Sequence, residues 1–212
     1  MIPSEYNLYP FTAYVKPINL SFNQYLLLAE EPVLFHTGSA QQAAALLPQL
    51  EKALANRPLR HIFVSHFESD ECGGLAQLLC KYPDASVICS EVTARQLTGF
   101  GYHCSLDVKK PEDHLITDSF DLEFIGYPSE MHLWEGLLAY EHRRKLFFSS
   151  DLMLRWGVTD GSLMRSNWKD EVSGISAEQI PDSQRLLRLQ EELSRFCPDI
   201  IATGHGPIID LR

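Results

Sequence analysis

An apolar triplet, Ile62-Phe63-Val64, runs straight into Ser65-His66-Phe67-Glu68-Ser69-Asp70-Glu71-Cys72-Gly73-Gly74, and Leu75-Ala76-Gln77-Leu78-Leu79 follows at once. The triplet reads as a buried strand and the last segment as a helix. His66, Glu68 and Asp70 therefore stand on the short loop between a strand end and a helix start. Loops at the C-terminal ends of strands are where α/β proteins place their chemistry. Three metal-ligating residue types at every second position, closed by two glycines, call for a fold that gathers such loops at one end of its strands. The plain alternative is a solvated acidic loop, and the rest of the chain bears on that choice.

The other elements follow from period and punctuation. Thr12 to Lys16, Gln24 to Ala29 and Pro32 to His36 read as short strands joined by turns. Ser39 to Ala55 reads as a helix capped by Ser39, with Ala43, Leu46, Leu47, Leu50 and Leu54 at helical spacing and a kink or break predicted near Leu47 by Pro48. Arg60 to Ser65 is a strand, Glu71 to Lys81 a helix, Ser86 to Cys89 a strand and Glu91 to Leu97 a helix. A β-rich stretch follows at His114 to Ile116, Leu122 to Tyr127, Gly136 to Glu141 and Lys145 to Ser149, with a solvated hairpin turn at His142-Arg143-Arg144. Ala177 to Phe196 is a long amphipathic helix, and Asp199 to Thr203 is a final strand. Strands first, then β–α units, then a meander suit an α/β (α+β) protein of two sheets packed face to face with helices outside, a four-layer αββα sandwich. A doubly wound parallel sheet is the alternative, and the short hairpin connections count against it.

A length of 212 residues fits a single domain spanning 1–212. The net charge of −10 and pI near 5.2 argue against a nucleic-acid partner and against docking on an anionic membrane. No apolar run reaches the ~18 residues that a membrane span needs. The first residues show no basic region followed by an apolar core, so no signal peptide is expected. Five cysteines without a CxxC pair fit reduced thiols, and a cytoplasmic location is the expectation.

Each later strand delivers a His or an Asp to its tip. Tyr127-Pro128-Ser129-Glu130-Met131-His132 ends one, Phe147-Phe148-Ser149-Ser150-Asp151 another, and Ile201-Ala202-Thr203-Gly204-His205-Gly206 the last. With the opening loop this gives His66, Glu68, Asp70, His132, Asp151 and His205. Imidazoles and carboxylates from four separate loops are about what two metal ions need.

The order and context of these residues resemble the metallo-β-lactamase fold superfamily, whose signature is H-x-H-x-D-H, then a His, an Asp and a His. The match runs from the first strands to His205. Glu68 stands where most members carry a second His, and this resembles the flavodiiron proteins, whose signature is H-x-E-x-D. Those proteins hold two irons and reduce dioxygen or nitric oxide. A related group of oxygen-binding di-iron proteins keeps the fold without a flavodoxin domain. The resemblance implies that His66, Glu68 and His132 bind one metal, that Asp70 and His205 bind the other, and that Asp151 bridges them at about 3.5–4 Å. Glu71 replaces a usual His; it is expected as an oxygen ligand of the second metal, or as a residue turned away to leave an open position.

Carboxylate oxygens are harder donors than imidazole and favour iron or manganese over zinc. Only three of the eight His fall at ligand positions. Glu68, Asp70, Asp151 and Glu71 supply enough negative charge to stabilise an oxidised iron pair with a bridging oxide or hydroxide. The expected function is a binuclear non-haem iron protein that binds, and could reduce, dioxygen or nitric oxide, as sensor, carrier or oxidoreductase. The chain ends seven residues after His205, so no FMN domain is expected in it, and turnover calls for a separate electron-donor protein; sensing calls for a signalling partner. A homodimer is compatible with this. The alternative is a hydrolase of an ester, thioester or phosphodiester with two zinc or manganese ions.

The remaining residues have simpler readings. Tyr127, Met131 and Trp134 either line an apolar pocket over the metals or pack the core. His36 is either a donor supporting the site's loops or a turn residue. Cys72 is expected as a buried structural thiol. His61, His103, His114 and His142 show no partner pattern and read as exposed or core histidines.

Overall fold

The computed structural model describes residues 2–128, 136–159 and 163–212. Its first sheet is ordered β1 (Leu8–Val15), β2 (Leu20–Leu27), β3 (Val33–Phe35), β4 (His61–Phe63), β5 (Ser86–Ser90) and β6 (Leu106–Lys109). The first two pairings are antiparallel and the rest parallel. The second sheet is ordered β11 (Met164–Arg165), β13 (Ile209–Asp210), β12 (Ile200–Thr203), β10 (Leu146–Ser150), β9 (Gly136–Glu141), β8 (Asp121–Tyr127) and β7 (His114–Ile116). Within it β10 and β12 run parallel, while β7, β8, β9 and β10 form an antiparallel meander.

Strand alternation sorts the apolar residues into three layers. Tyr25, Val33, Phe35, Phe63 and Ile88 of the first sheet meet Phe124, Leu137, Ala139, Phe148 and Ala202 of the second between the sheets. The Phe35 and Phe148 rings stack there with centroids 3.5 Å apart. Leu26, Leu34, Ile62 and Val64 face the other way, onto α1 (Ala40–Leu54), α3 (Leu75–Lys81) and α4 (Glu91–Gly99). Ile125, Tyr127, Leu138, Tyr140 and Phe147 face outward onto α5 (Trp168–Ser173) and α6 (Ser183–Leu193). The result is the expected αββα sandwich, with parallel and antiparallel strands in both sheets rather than one doubly wound sheet. Among the described residues no helix is long and apolar enough to cross a membrane.

Three local expectations are corrected. α1 runs unbroken through Pro48. A proline inside a helix costs about 3 kcal/mol, but the helix buries Leu46, Leu50 and Leu54 on the sheet, each worth about 1.5–3 kcal/mol. A reciprocal capping box also holds its start, with the Gln42 N–H donating to Ser39 Oγ and the Ser39 N–H to Gln42 Oε1. The helix expected from Glu71 to Lys81 divides into α2 (Ser69–Cys72) and α3 at Gly73-Gly74. A Cβ on Gly73 would fall 2.2 Å from the Ser69 carbonyl oxygen, and one on Gly74 would fall 2.3 Å from the Ala43 Cβ. The glycines thus let this loop press against α1. The long helix expected from Ala177 shortens to α6, because Pro181 and Asp182 start it. The Asp182 carboxylate caps the Gln184 and Arg185 N–H groups.

Candidate metal centre

β4 and β10 end on the same side of the sandwich, and so does β12. Their C-terminal loops carry His66, Asp151 and His205. The parallel pairing of β10 with β12, with its register shift between Phe148 and Ser150, sets Asp151 beside His205. Gly204 closes that approach: its N–H donates to the Ser150 carbonyl at 2.9 Å, and a Cβ there would meet the same oxygen at 2.7 Å. Ser150 holds a left-handed φ of 47°, a strained conformation of the kind found beside functional groups.

Asp151 joins the two halves of the cluster. Its Oδ1 is 2.9 Å from His205 Nε2, and its Oδ2 is 3.3 Å from His66 Nε2. His66 Nε2 also lies 3.0 Å from Glu68 Oε2, and His205 Nε2 lies 3.3 Å from Asp70 Oδ2. Two groups of candidate ligands result, His66–Glu68–Asp151 and Asp70–Glu71–Asp151–His205, with Asp151 common to both. In each group the ligand atoms lie within 4.8 Å of one another. His132 and Trp134 lie outside the described residues, as does Met131.

Glu71 is buried and held from two sides. Ser150 Oγ donates to its Oε1 at 3.2 Å. His36 Nδ1 lies 2.7 Å from its Oε2, without the alignment of a hydrogen bond. His36 itself is buried and adopts a left-handed φ of 64°. Tyr127 is also buried and sets its ring edge-on to His66, with centroids 5.9 Å apart. Phe22 does the same to His205 at 4.8 Å. Cys72 Sγ donates to the Glu68 carbonyl. Cys72 is buried, and burial followed by the Glu71 charge pushes its thiol up to about 12.

The protonation of the imidazoles reports the field of the cluster. Burial alone would lower His205, but its hydrogen bonds to Asp151 and Asp70 outweigh that and lift it to about 10. His66 likewise rises well above its ordinary value, with burial opposed by Asp151 and Glu68. The surrounding carboxylates thus favour positive charge at this place. Two imidazoles and four carboxylates facing one another are the donor set of a carboxylate-rich binuclear centre, so the residues fit a metal pair. A cavity of about 1380 Å³ opens onto Glu68, Asp70, Asp151 and His205, with Phe22, Tyr127 and Trp156 among its walls.

Sequence reading missed Ser150, Phe22 and Trp156. Ser150 was next to a named ligand, but only the turn that follows β10 aims its hydroxyl at Glu71. Phe22 and Trp156 belong to segments with no spacing relation to the ligand loops.

Residues 20–206 match a family model described as ODP family beta lactamase. The anaerobic nitric oxide reductase flavorubredoxin of Citrobacter koseri is 26% identical over 198 residues, covering 89% of this chain and 41% of that protein. The putative diflavin flavoprotein A 1 of Thermosynechococcus vestitus is 25% identical over 199 residues, covering 89% of this chain and 34% of that protein. The chain thus spans less than half the length of these relatives. Among solved structures, a flavo di-iron protein variant from Thermotoga maritima superposes with a TM-score of 0.82 at 21% identity, over 99% of this chain and 56% of that one. The rubredoxin oxygen:oxidoreductase of Desulfovibrio gigas superposes with a TM-score of 0.79 at 18% identity, over 99% of this chain and 57% of that one. At these identities the superpositions show the fold.

Proposed function

The chain belongs to the ODP family of beta-lactamase-fold proteins, and from that premise we propose that it is a binuclear non-haem iron protein that binds dioxygen or nitric oxide. The observation that carries this reading is the Asp151 carboxylate, which turns one oxygen to His205 and the other to His66. In this reading His66, Glu68 and His132 would hold one iron, Asp70, Glu71 and His205 would hold the other, and Asp151 would be shared between them. The relatives named for nitric oxide reduction and for oxygen reduction support the same assignment.

When bound, an iron pair supplies a redox couple and Lewis acidity toward a diatomic gas. The protein's own groups do the rest. Asp70, Glu68 and Asp151 offset the cationic charge and so favour the oxidised pair. Tyr127 and Phe22 put ring edges against the two imidazoles and fix their planes. Ser150 Oγ and His36 hold Glu71 in a buried pose, so that its carboxylate is already oriented before any cation arrives. The wide cavity gives a redox donor or signalling partner a route to the centre.

Hydrolysis is the less favoured reading, because Glu68 replaces an imidazole donor that a zinc hydrolase would use and the relatives above are named for redox chemistry. An anaerobic gas titration tests the proposal. Iron-loaded, reduced protein should change its near-ultraviolet spectrum on adding stoichiometric dioxygen or nitric oxide. An unchanged spectrum with both gases would overturn it.

A further inference from the structure

A second group of metal-ligating side chains stands at the opposite end of the β8–β9 hairpin. His114 in β7 and Glu123 in β8 are directly opposite in the antiparallel register. Asp121 lies two residues before Glu123, and His142, just after β9, donates its N–H to the Asp121 carbonyl at 2.9 Å. The strand period of two and this register put all four side chains on one face of the sheet. It is the outer face, where Tyr140 and Phe196 pack against the His142 ring.

We propose that His114, Glu123 and His142 form a separate binding site for a divalent cation of the zinc type, with Asp121 as the group that orients His114. Glu123 Oε2 is 2.7 Å from His142 Nε2 and 4.0 Å from His114 Nε2. The three ligand atoms lie within 4.8 Å of one another. Ligands of a tetrahedral zinc at 2.0–2.1 Å are about 3.3 Å apart, and the two measured separations bracket that value. The His114 and His142 rings are near-parallel, 17° apart, with centroids at 5.6 Å. Both Nε2 atoms lie within 4.0 Å of the same carboxylate oxygen.

The surroundings match what such sites require. His114 Nδ1 lies 2.7 Å from Asp121 Oδ1. A carboxylate accepting from Nδ1–H leaves Nε2 with its lone pair outward, which is the usual support for a metal-bound histidine. The other Glu123 oxygen, Oε1, accepts from Arg195 Nη2 at 3.3 Å, so Oε2 is the one turned to the imidazoles. Both histidines keep more than a third of their side chains exposed, which leaves the site reachable and a fourth position open to water. Imidazole donors suit zinc, copper and nickel. The site is distinct from the centre above: Tyr127, which touches His66, is four residues along β8 from Glu123, or about 13 Å at the usual strand rise. A bound cation would tie the edge strand β7 to β8 and to the turn after β9.

Zinc uptake by the purified chain near neutral pH, compared with that of a His114→Ala/His142→Ala double variant, tests this. The wild type is expected to bind one zinc more per chain than the double variant, whatever the main centre holds. Asp121→Asn keeps all three ligands and is expected to weaken that extra zinc by about 10–100-fold. Circular dichroism and a melting curve in chelator check that each variant folds. Equal zinc uptake by wild type and double variant would overturn the proposal, and so would an Asp121→Asn variant with undiminished affinity for the extra zinc; ordinary surface ion pairs would behave in those ways.

Discussion

Asp151 and His205 come from the ends of two neighbouring parallel strands and meet Oδ1 to Nε2 at 2.9 Å. A slip of one residue between β10 and β12 would turn one of these side chains to the other face of the sheet. The same carboxylate reaches His66 with its second oxygen, so this one residue couples loops that are far apart in sequence.

Asp151→Ala should therefore remove both metals rather than one. Elemental analysis of the purified variant checks this, with wild-type secondary structure by circular dichroism as the folding control. A variant that keeps a full pair would show that Asp151 is not a bridge.

Glu71→Ala should act on one side only. Glu71 groups with Asp70, Asp151 and His205 and not with His66 and Glu68. The expected content is close to one metal per chain, with the second lost to a chelator at least ~10-fold faster than in the wild type. Unaltered binding of both would mean that Glu71 serves only to hold His36 and Ser150.

Metal uptake should release protons. In the metal-free chain the neighbouring carboxylates lift His205 to about 10 and raise His66, so protons held there must leave before the imidazoles can ligate. Calorimetry in buffers of different ionisation enthalpy should detect the release, and affinity should fall as pH falls. The metal-free fold should show the matching stability. A histidine with a raised folded value stabilises fully below its unfolded value near 6.5 and loses that contribution as pH rises through about 10. Melting temperatures of the metal-free chain should thus drop between those limits; a rise across them would contradict the assignment.

Gly74→Ala should lower stability by about 1–3 kcal/mol, the usual cost of overpacking, because the added Cβ meets that of Ala43 on α1. Chemical denaturation measures it. An unchanged midpoint would mean that α1 and the ligand loop yield without cost.

Much of this was legible in the sequence, and the rest was not for definable reasons. The strand-tip positions of His66, Asp151 and His205 followed from apolar runs ending in ligand residues, and the two-sheet architecture followed from the order of strands and helices. Pro48 misled because tertiary burial of Leu46, Leu50 and Leu54 outweighed a local penalty. Gly73-Gly74 marked a close approach, but that it divides two helices depends on α1. His114 and His142 showed no partner pattern along the chain, and the turn at Arg143-Arg144, exposed as expected, also sets its guanidinium groups on the Thr117, Asp118 and Ser119 carbonyls. These contacts come from strand pairing across β7, β8 and β9, which spacing alone does not specify.

On the proposed reading this donor set selects iron over zinc. Metal content of the chain purified from iron-supplied cells, read together with its near-ultraviolet absorption in air, tests it most directly. The account predicts close to two irons per chain and a charge-transfer band that Glu68→His diminishes as zinc replaces iron. Zinc alone in the wild type, with no such band, would contradict it.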